Sequence, residues 1–155
     1  MISEERVIRD FKLDFDKIIL SKLKTLINNM KKIIKTTQAP SPIGPYNQAI
    51  LHGNMLYTSG QIAIDPKTGD LVLDTIEQET KLVMENLQAI LTEAGMTFEN
   101  VLKSTIFISD MDNFGAINKV YGSYFNDATA PARETVEVAR LPKSVNVEIS
   151  VIASL

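Results

Sequence analysis

Two charged side chains near the end of the chain stand alone among strand-forming residues. Arg133 lies in Pro131-Ala132-Arg133-Glu134-Thr135-Val136-Glu137-Val138-Ala139-Arg140-Leu141-Pro142, a strand-like run bounded by prolines. Glu148 is the isolated carboxylate of Val145-Asn146-Val147-Glu148-Ile149-Ser150-Val151-Ile152. A guanidinium can grip a planar anion through two parallel hydrogen bonds. A carboxylate can hold water or relay a proton. Alternation alone leaves an ordinary pair of surface charges as the competing reading, so the choice depends on the elements that carry them.

Strand residues alternate faces. Val145, Val147, Ile149, Val151 and Ala153 make one apolar face of the last strand, and Asn146, Glu148 and Ser150 point the other way. Taking Val136 and Val138 as core residues turns Arg133, Thr135 and Glu137 outward as well. Arg133 and Glu148 are then expected on the same helix-free face of the sheet. Thr105, Phe107, Ile152 and Ser59 give that face a mixed character, which suggests contact with another subunit.

The rest of the chain supplies the scaffold. Lys32–Thr36 reads as a first strand. It leads into Gln38-Ala39-Pro40-Ser41-Pro42-Ile43-Gly44-Pro45-Tyr46, a loop stiffened by three prolines, where Tyr46 either lines a pocket or packs as a loop tyrosine. Asn47–Leu51 and Met55–Gln61 flank the turn residues His52-Gly53-Asn54, which predicts a hairpin with the single histidine as a turn residue. Small residues in Thr58-Ser59-Gly60-Gln61 would let a ligand approach the backbone.

Thr75 and Gln78 resemble a capping box for a helix with Thr80, Val83, Leu87, Ile90, Leu91 and Ala94 on its buried stripe, stopped by Gly95. After a strand at Val101–Ser109, Asp112 or Asn113 is expected to cap a second helix. Its Phe114, Ile117, Tyr121, Tyr124 and Phe125 read as core. The order β-β-β-α-β-α-β-β predicts an α+β fold with two helices on one face of a mixed six-stranded sheet.

Residues 1–29 read as a separate extension. Ile8, Phe11, Phe15, Ile18, Ile19, Leu23 and Leu26 recur at helical spacing, ending near Asn28-Asn29. Interspersed acids suit neither a secretory signal nor a transit peptide, and an appended or mobile helix is expected, followed by one domain at 30–155.

Composition narrows the function. The 155 residues contain no cysteine, which excludes disulfides and thiol nucleophiles and makes a cytoplasmic location the expectation. A formal net charge of −3 argues against nucleic-acid binding, and no apolar run is long enough to span a membrane. One histidine leaves no basis for a histidine-rich metal site.

Several separated motifs carry a resemblance. Ile43-Gly44-Pro45-Tyr46, Thr58-Ser59-Gly60-Gln61-Ile62, Asn118 in Phe114-Gly115-Ala116-Ile117-Asn118, Pro131-Ala132-Arg133, the run Val136–Lys143 and Val147-Glu148-Ile149 resemble the RidA family, also called YjgF/YER057c/UK114. The resemblance spans 30–155. It implies a chorismate-mutase-like fold, a homotrimer with clefts between subunits, and cofactor-independent hydrolysis of 2-iminobutanoate or 2-iminopropanoate to a 2-keto acid and ammonia. It further implies that Arg133 binds the substrate carboxylate and Glu148 positions or activates water. Tyr46, Ser59, Gly60, Asn118 and the backbone near Thr135 would line the pocket.

Many relatives have Arg-Ser-Cys where this chain has Arg133-Glu134-Thr135, so chemistry that needs a thiol is not expected here. A regulatory trimer sensing small carboxylates is the alternative, with a ribonuclease or translation inhibitor a third. Retention of Glu148 favours the enzyme, because a carboxylate sensor needs the arginine and not the water-holding acid.

Overall fold

The computed structural model describes residues 12–23 and 30–155. Residues 12–23 are helical and expose Leu13, Phe15, Ile18, Ile19, Leu20 and Leu23. Ile8, Phe11, Leu26 and the expected stop at Asn28-Asn29 lie outside the described residues.

The domain runs β1 (Lys32–Ile34), β2 (Ala49–His52), β3 (Met55–Thr58), α1 (Ile76–Glu93), β4 (Val101–Ile108), α2 (Phe114–Gly122), β5 (Ala132–Glu137) and β6 (Val147–Ser154). The expected α+β order holds. The six strands form one mixed sheet, β1-β2-β3-β6-β4-β5, in which β4 and β5 are parallel and the other neighbours antiparallel. Val147, Ile149, Val151 and Ala153 of β6 and Ile106 and Ile108 of β4 are buried with Val83, Leu87, Ile90 and Leu91 of α1. The alternation in β6 thus gives one face to the helices and leaves Glu148 on the other.

Local chemistry accounts for the punctuation. Gly53 takes φ +63° in a tight hairpin that sets His52 opposite Met55. Thr75 Oγ1 accepts from Gln78 N at 3.2 Å at the start of α1, and Gly95 at φ +74° ends it. The expected cap of α2 is corrected. Asn113 makes no side-chain cap bond; Asp110 instead accepts from Asp112 N at 2.9 Å and caps a single turn, Met111–Asn113, that runs into the helix. The donors at this helix entry are therefore engaged one turn earlier than expected.

Two features shape the sheet around Glu148. Tyr57 lies opposite Ile152, yet Gln61 lies opposite Ile149, so four steps on one side match three on the other. The extra residue is a bulge, which bends a strand and re-aims side chains. It ends β3 at Thr58, earlier than the expected Gln61, and brings Gly60 against Glu148. The proline loop is pinned separately by buried Gln48. Its Nε2 donates to the carbonyls of Thr36, Ala39 and Pro40, and its Oε1 accepts from Thr36 N at 2.8 Å. A buried amide in place of ladder bonds holds the loop that carries Tyr46.

Candidate active site

Glu148 lies in a cavity of about 410 Å³. Tyr46, Ser59, Gly60 and Glu148 line it, with Ile43 and Ile62 among its apolar walls. The bulge leaves no room for a side chain at position 60, because a Cβ there would overlap Glu148 Oε1 and come within 2.7 Å of its Cδ. Glycine is thus required by the carboxylate's position. Ser59 Oγ donates to Asn47 O at 2.6 Å, so its hydroxyl braces the loop. The Tyr46 hydroxyl accepts from Ile43 N at 3.4 Å. Burial pushes the Glu148 pKa above the usual carboxylate range, and among the described residues no cation pairs with it.

Arg133 lies in a second cavity of about 340 Å³, lined also by Asn118, Tyr121, Phe125 and Asp127. Arg133 donates from Nη1 to Asn118 Oδ1 at 2.6 Å. Its guanidinium carbon lies 5.1 Å from the Tyr121 ring centre and 5.8 Å from that of Phe114. Both distances are within cation–π range. Phe114, Asn118 and Tyr121 share one face of α2 at i, i+4 and i+7, so one helix supplies the bed and the pin. Tyr121 donates in turn to buried Ser104 at 2.9 Å. Its own pKa is raised by burial, partly offset by the Ser104 hydrogen bond and the Arg133 charge.

This geometry overturns the expectation that Arg133 and Glu148 share the helix-free face. Directly paired residues on adjacent strands project to the same side. Arg133 is opposite Ser104, which is buried beneath α2, and Glu148 is opposite Phe107 on the other face. The error came from anchoring β5 on Val136, which is in fact 43% exposed on the helix-free side. β5 is an edge strand, so apolar character there does not mark the core. With β4 between them and their partners three steps apart along β4, the two Cα atoms lie on the order of 14 Å apart. Within one chain the named residues fall into two groups: Tyr46, Ser59, Gly60 and Glu148 in one cavity, Asn118 and Arg133 in the other.

Thr135 follows Arg133 on the helix side, opposite Ile106. Its Oγ1 is buried without a hydrogen-bond partner. An isosteric methyl removes that cost, so Thr135→Val is expected to stabilise the fold by about 1 kcal/mol. Thermal unfolding of the variant checks this, and a lower melting temperature would show that the hydroxyl contributes a hydrogen bond. Phe114 and Tyr121 as the guanidinium bed were missed from sequence. Their spacing from Asn118 was the available signal.

Known proteins resemble this chain in sequence and in fold. The family model described as Endoribonuclease L-PSP matches residues 36–155. A RutC family protein of Synechocystis is 55% identical over 125 residues, covering 80% of this chain and 96% of that protein. Escherichia coli TdcF, provisionally named a reactive intermediate deaminase, is 46% identical over 126 residues, covering 80% of this chain and 97% of TdcF. A crystal structure of TdcF with bound serine superposes with a TM-score of 0.75 over 80% of this chain and 98% of that one. A Thermotoga maritima structure provisionally described as an endoribonuclease gives a TM-score of 0.79 at 50% identity, covering 81% of this chain and 98% of that one. With the model matched across nearly the whole domain and relatives covered almost end to end, this chain belongs to the L-PSP family, the RidA/YjgF proteins.

Proposed function

We propose that this protein hydrolyses small 2-imino acids to 2-keto acids and ammonia, at sites completed between copies of the chain in a homotrimer. The observation that carries the reading is the division of one set of chemistry between opposite faces of a sheet. Each cavity holds half of what the reaction needs. Tyr57 and Val136 are 48% and 43% exposed on the helix-free side, an apolar character that favours cover by another copy. The serine held by TdcF is a small 2-amino acid, with the same carboxylate and C2 nitrogen arrangement as a 2-imino acid.

In this mechanism Arg133 holds the substrate carboxylate in its fork, and Asn118 fixes the plane of the fork. Glu148 accepts a proton from water as the water oxygen bonds to C2 of the protonated imine. Glu148 then returns its proton to the carbinolamine nitrogen, the C2–N bond breaks to release ammonia, and the hydroxyl proton passes through the Glu148 carboxylate to the departing ammonia as the carbonyl forms, leaving keto acid, ammonium and ionised Glu148. Tyr46, Ser59 and Gly60 shape the pocket around C2, and the backbone at Thr135 lies beside the carboxylate. No metal or organic cofactor enters these steps.

The deciding experiment generates 2-iminopropanoate or 2-iminobutanoate in situ and follows its loss with and without protein. No acceleration by the wild type sinks the reading. Mixing subunits of Arg133→Ala and Glu148→Gln tests the assembly. Random trimers restore both groups at about a quarter of the sites, so inactive parents should yield an active mixture. An inactive mixture would place both groups in one subunit's site.

The raised Glu148 pKa sets a pH dependence. Burial favours the protonated form, which cannot accept the water proton, so kcat/KM falls as pH drops through a value above the ordinary glutamate range. A pH–rate profile should show this acid limb in wild type and lose it in Glu148→Gln. Residues 1–29 precede the matched region, and their removal should leave both the trimer, by size-exclusion chromatography, and the rate unchanged.

A further inference from the structure

Glu79 has no part in the chemistry just described, yet it is fully buried in the first turns of α1. Its Oε1 accepts from the backbone N–H of Asn146 at 2.7 Å and of Val147 at 3.2 Å, and its Oε2 accepts from Asn146 Nδ2 at 2.8 Å. All three donors belong to the point where β6 begins. Asn146 O in turn accepts from Ser109 N at 3.1 Å, tying the same residue to the end of β4. Glu148 follows two residues later.

The turn entering this point is strained. Lys143 and Ser144 adopt φ +56° and +57°, a left-handed pair with no glycine. Such conformations persist where the surroundings over-determine them, and they gather near functional sites. Pro142, on the same turn, lines the Glu148 cavity. Strand onset matters here because a one-residue slip of β6 would exchange the faces of Glu148 and its buried neighbours Val147 and Ile149. A smaller shift would move the carboxylate relative to Gly60, with which it is in contact.

We infer that Glu79 and Asn146 form a latch that fixes the start of β6 and so aims Glu148 at its water: Glu79 is a positioning residue for the reaction. The inference rests on the proposed role of Glu148. Geometric placement of a catalytic group is worth large factors in rate, so a loosened latch acts on kcat. Substrate carboxylate binding, which belongs to Arg133, is left alone.

Glu79→Gln keeps the shape of the side chain and sets an amide N–H₂ against Asn146 Nδ2. It should lower kcat about tenfold and change KM by less than about twofold. In a Glu148→Gln background the same substitution should change the residual rate by less than about twofold, since its effect runs through the missing carboxylate. An equal tenfold loss in both backgrounds would overturn the inference and make Glu79 merely structural. Should Glu79→Gln not fold, Asn146→Ser removes the side-chain bond, keeps both backbone bonds and carries the same comparison. If the wild type hydrolyses no imine, the proposed function fails separately. The latch is then judged by the NMR resonance of the Glu148 carboxyl carbon, which Glu79→Gln should shift or split while leaving that of Glu134 in place. An unmoved Glu148 resonance would refute the latch.

Discussion

Replacing Arg133 by alanine should lower kcat/KM for 2-iminobutanoate by two to three orders of magnitude, about 3–4 kcal/mol at 1.4 kcal/mol per tenfold. The expectation follows from what the guanidinium would do. Hydrogen bonds to a charged partner contribute about 1.5–3 kcal/mol each, and a fork makes two to one carboxylate. Most of the loss should appear in KM, because the carboxylate is gripped equally before and during reaction. Arg133→Lys keeps the charge and loses the fork, so it should recover only about tenfold of the deficit. The fold should tolerate either change. Arg133 is exposed, and its structural contacts are one bond to Asn118 and two ring faces, together about 1–2 kcal/mol. Steady-state kinetics with a melting curve for each variant decides the matter. An alanine variant as fast as wild type would remove Arg133 from the site.

The parts of this molecule that could be read from sequence are those where one local rule acts alone. β6 was legible because both its neighbours are strands and one of its faces is wholly covered, so apolar alternation and burial coincide. α1 was legible from Thr75 and Gly95, whose roles depend on backbone geometry within a few residues, although Gln78 does not complete the expected capping box. β5 was not. It is an edge strand whose helix-side positions carry Arg133 and whose outward position carries Val136, the reverse of the rule for a central strand. Glu79 was hidden for a different reason. An acid in the first turns of a helix reads as a solvated charge near the positive end of the dipole, as exposed Glu77 is. Only the return of the chain at Asn146, 67 residues later, shows that Glu79 is buried and partnered. The glycine at position 60 lay between these cases. A close approach was expected there, but what approaches is this chain's own Glu148, delivered by a bulge.

That contact makes Gly60→Ala the sharpest test of whether the position of Glu148, beyond its presence, matters. The added methyl would occupy the volume of Glu148 Oε1 and lie 2.7 Å from Cδ and 2.8 Å from Cγ. One of the two must move. The obstructing atoms belong to the outer part of a flexible side chain, and Gly60 has no positive φ to strain an alanine, so the carboxylate should swing and the backbone should stay. Stability should therefore fall by no more than about 1–3 kcal/mol, the range for overpacking. Activity should fall much further, because a misplacement of about 1 Å can cost on the order of 100-fold. The loss should fall on kcat, with KM held by the intact Arg133 half of the site. The acid limb of the pH–rate profile should move toward the ordinary glutamate range as the displaced carboxyl meets more water. A folded Gly60→Ala protein with wild-type kcat would mean that Glu148 does not act from the place where the bulge holds it.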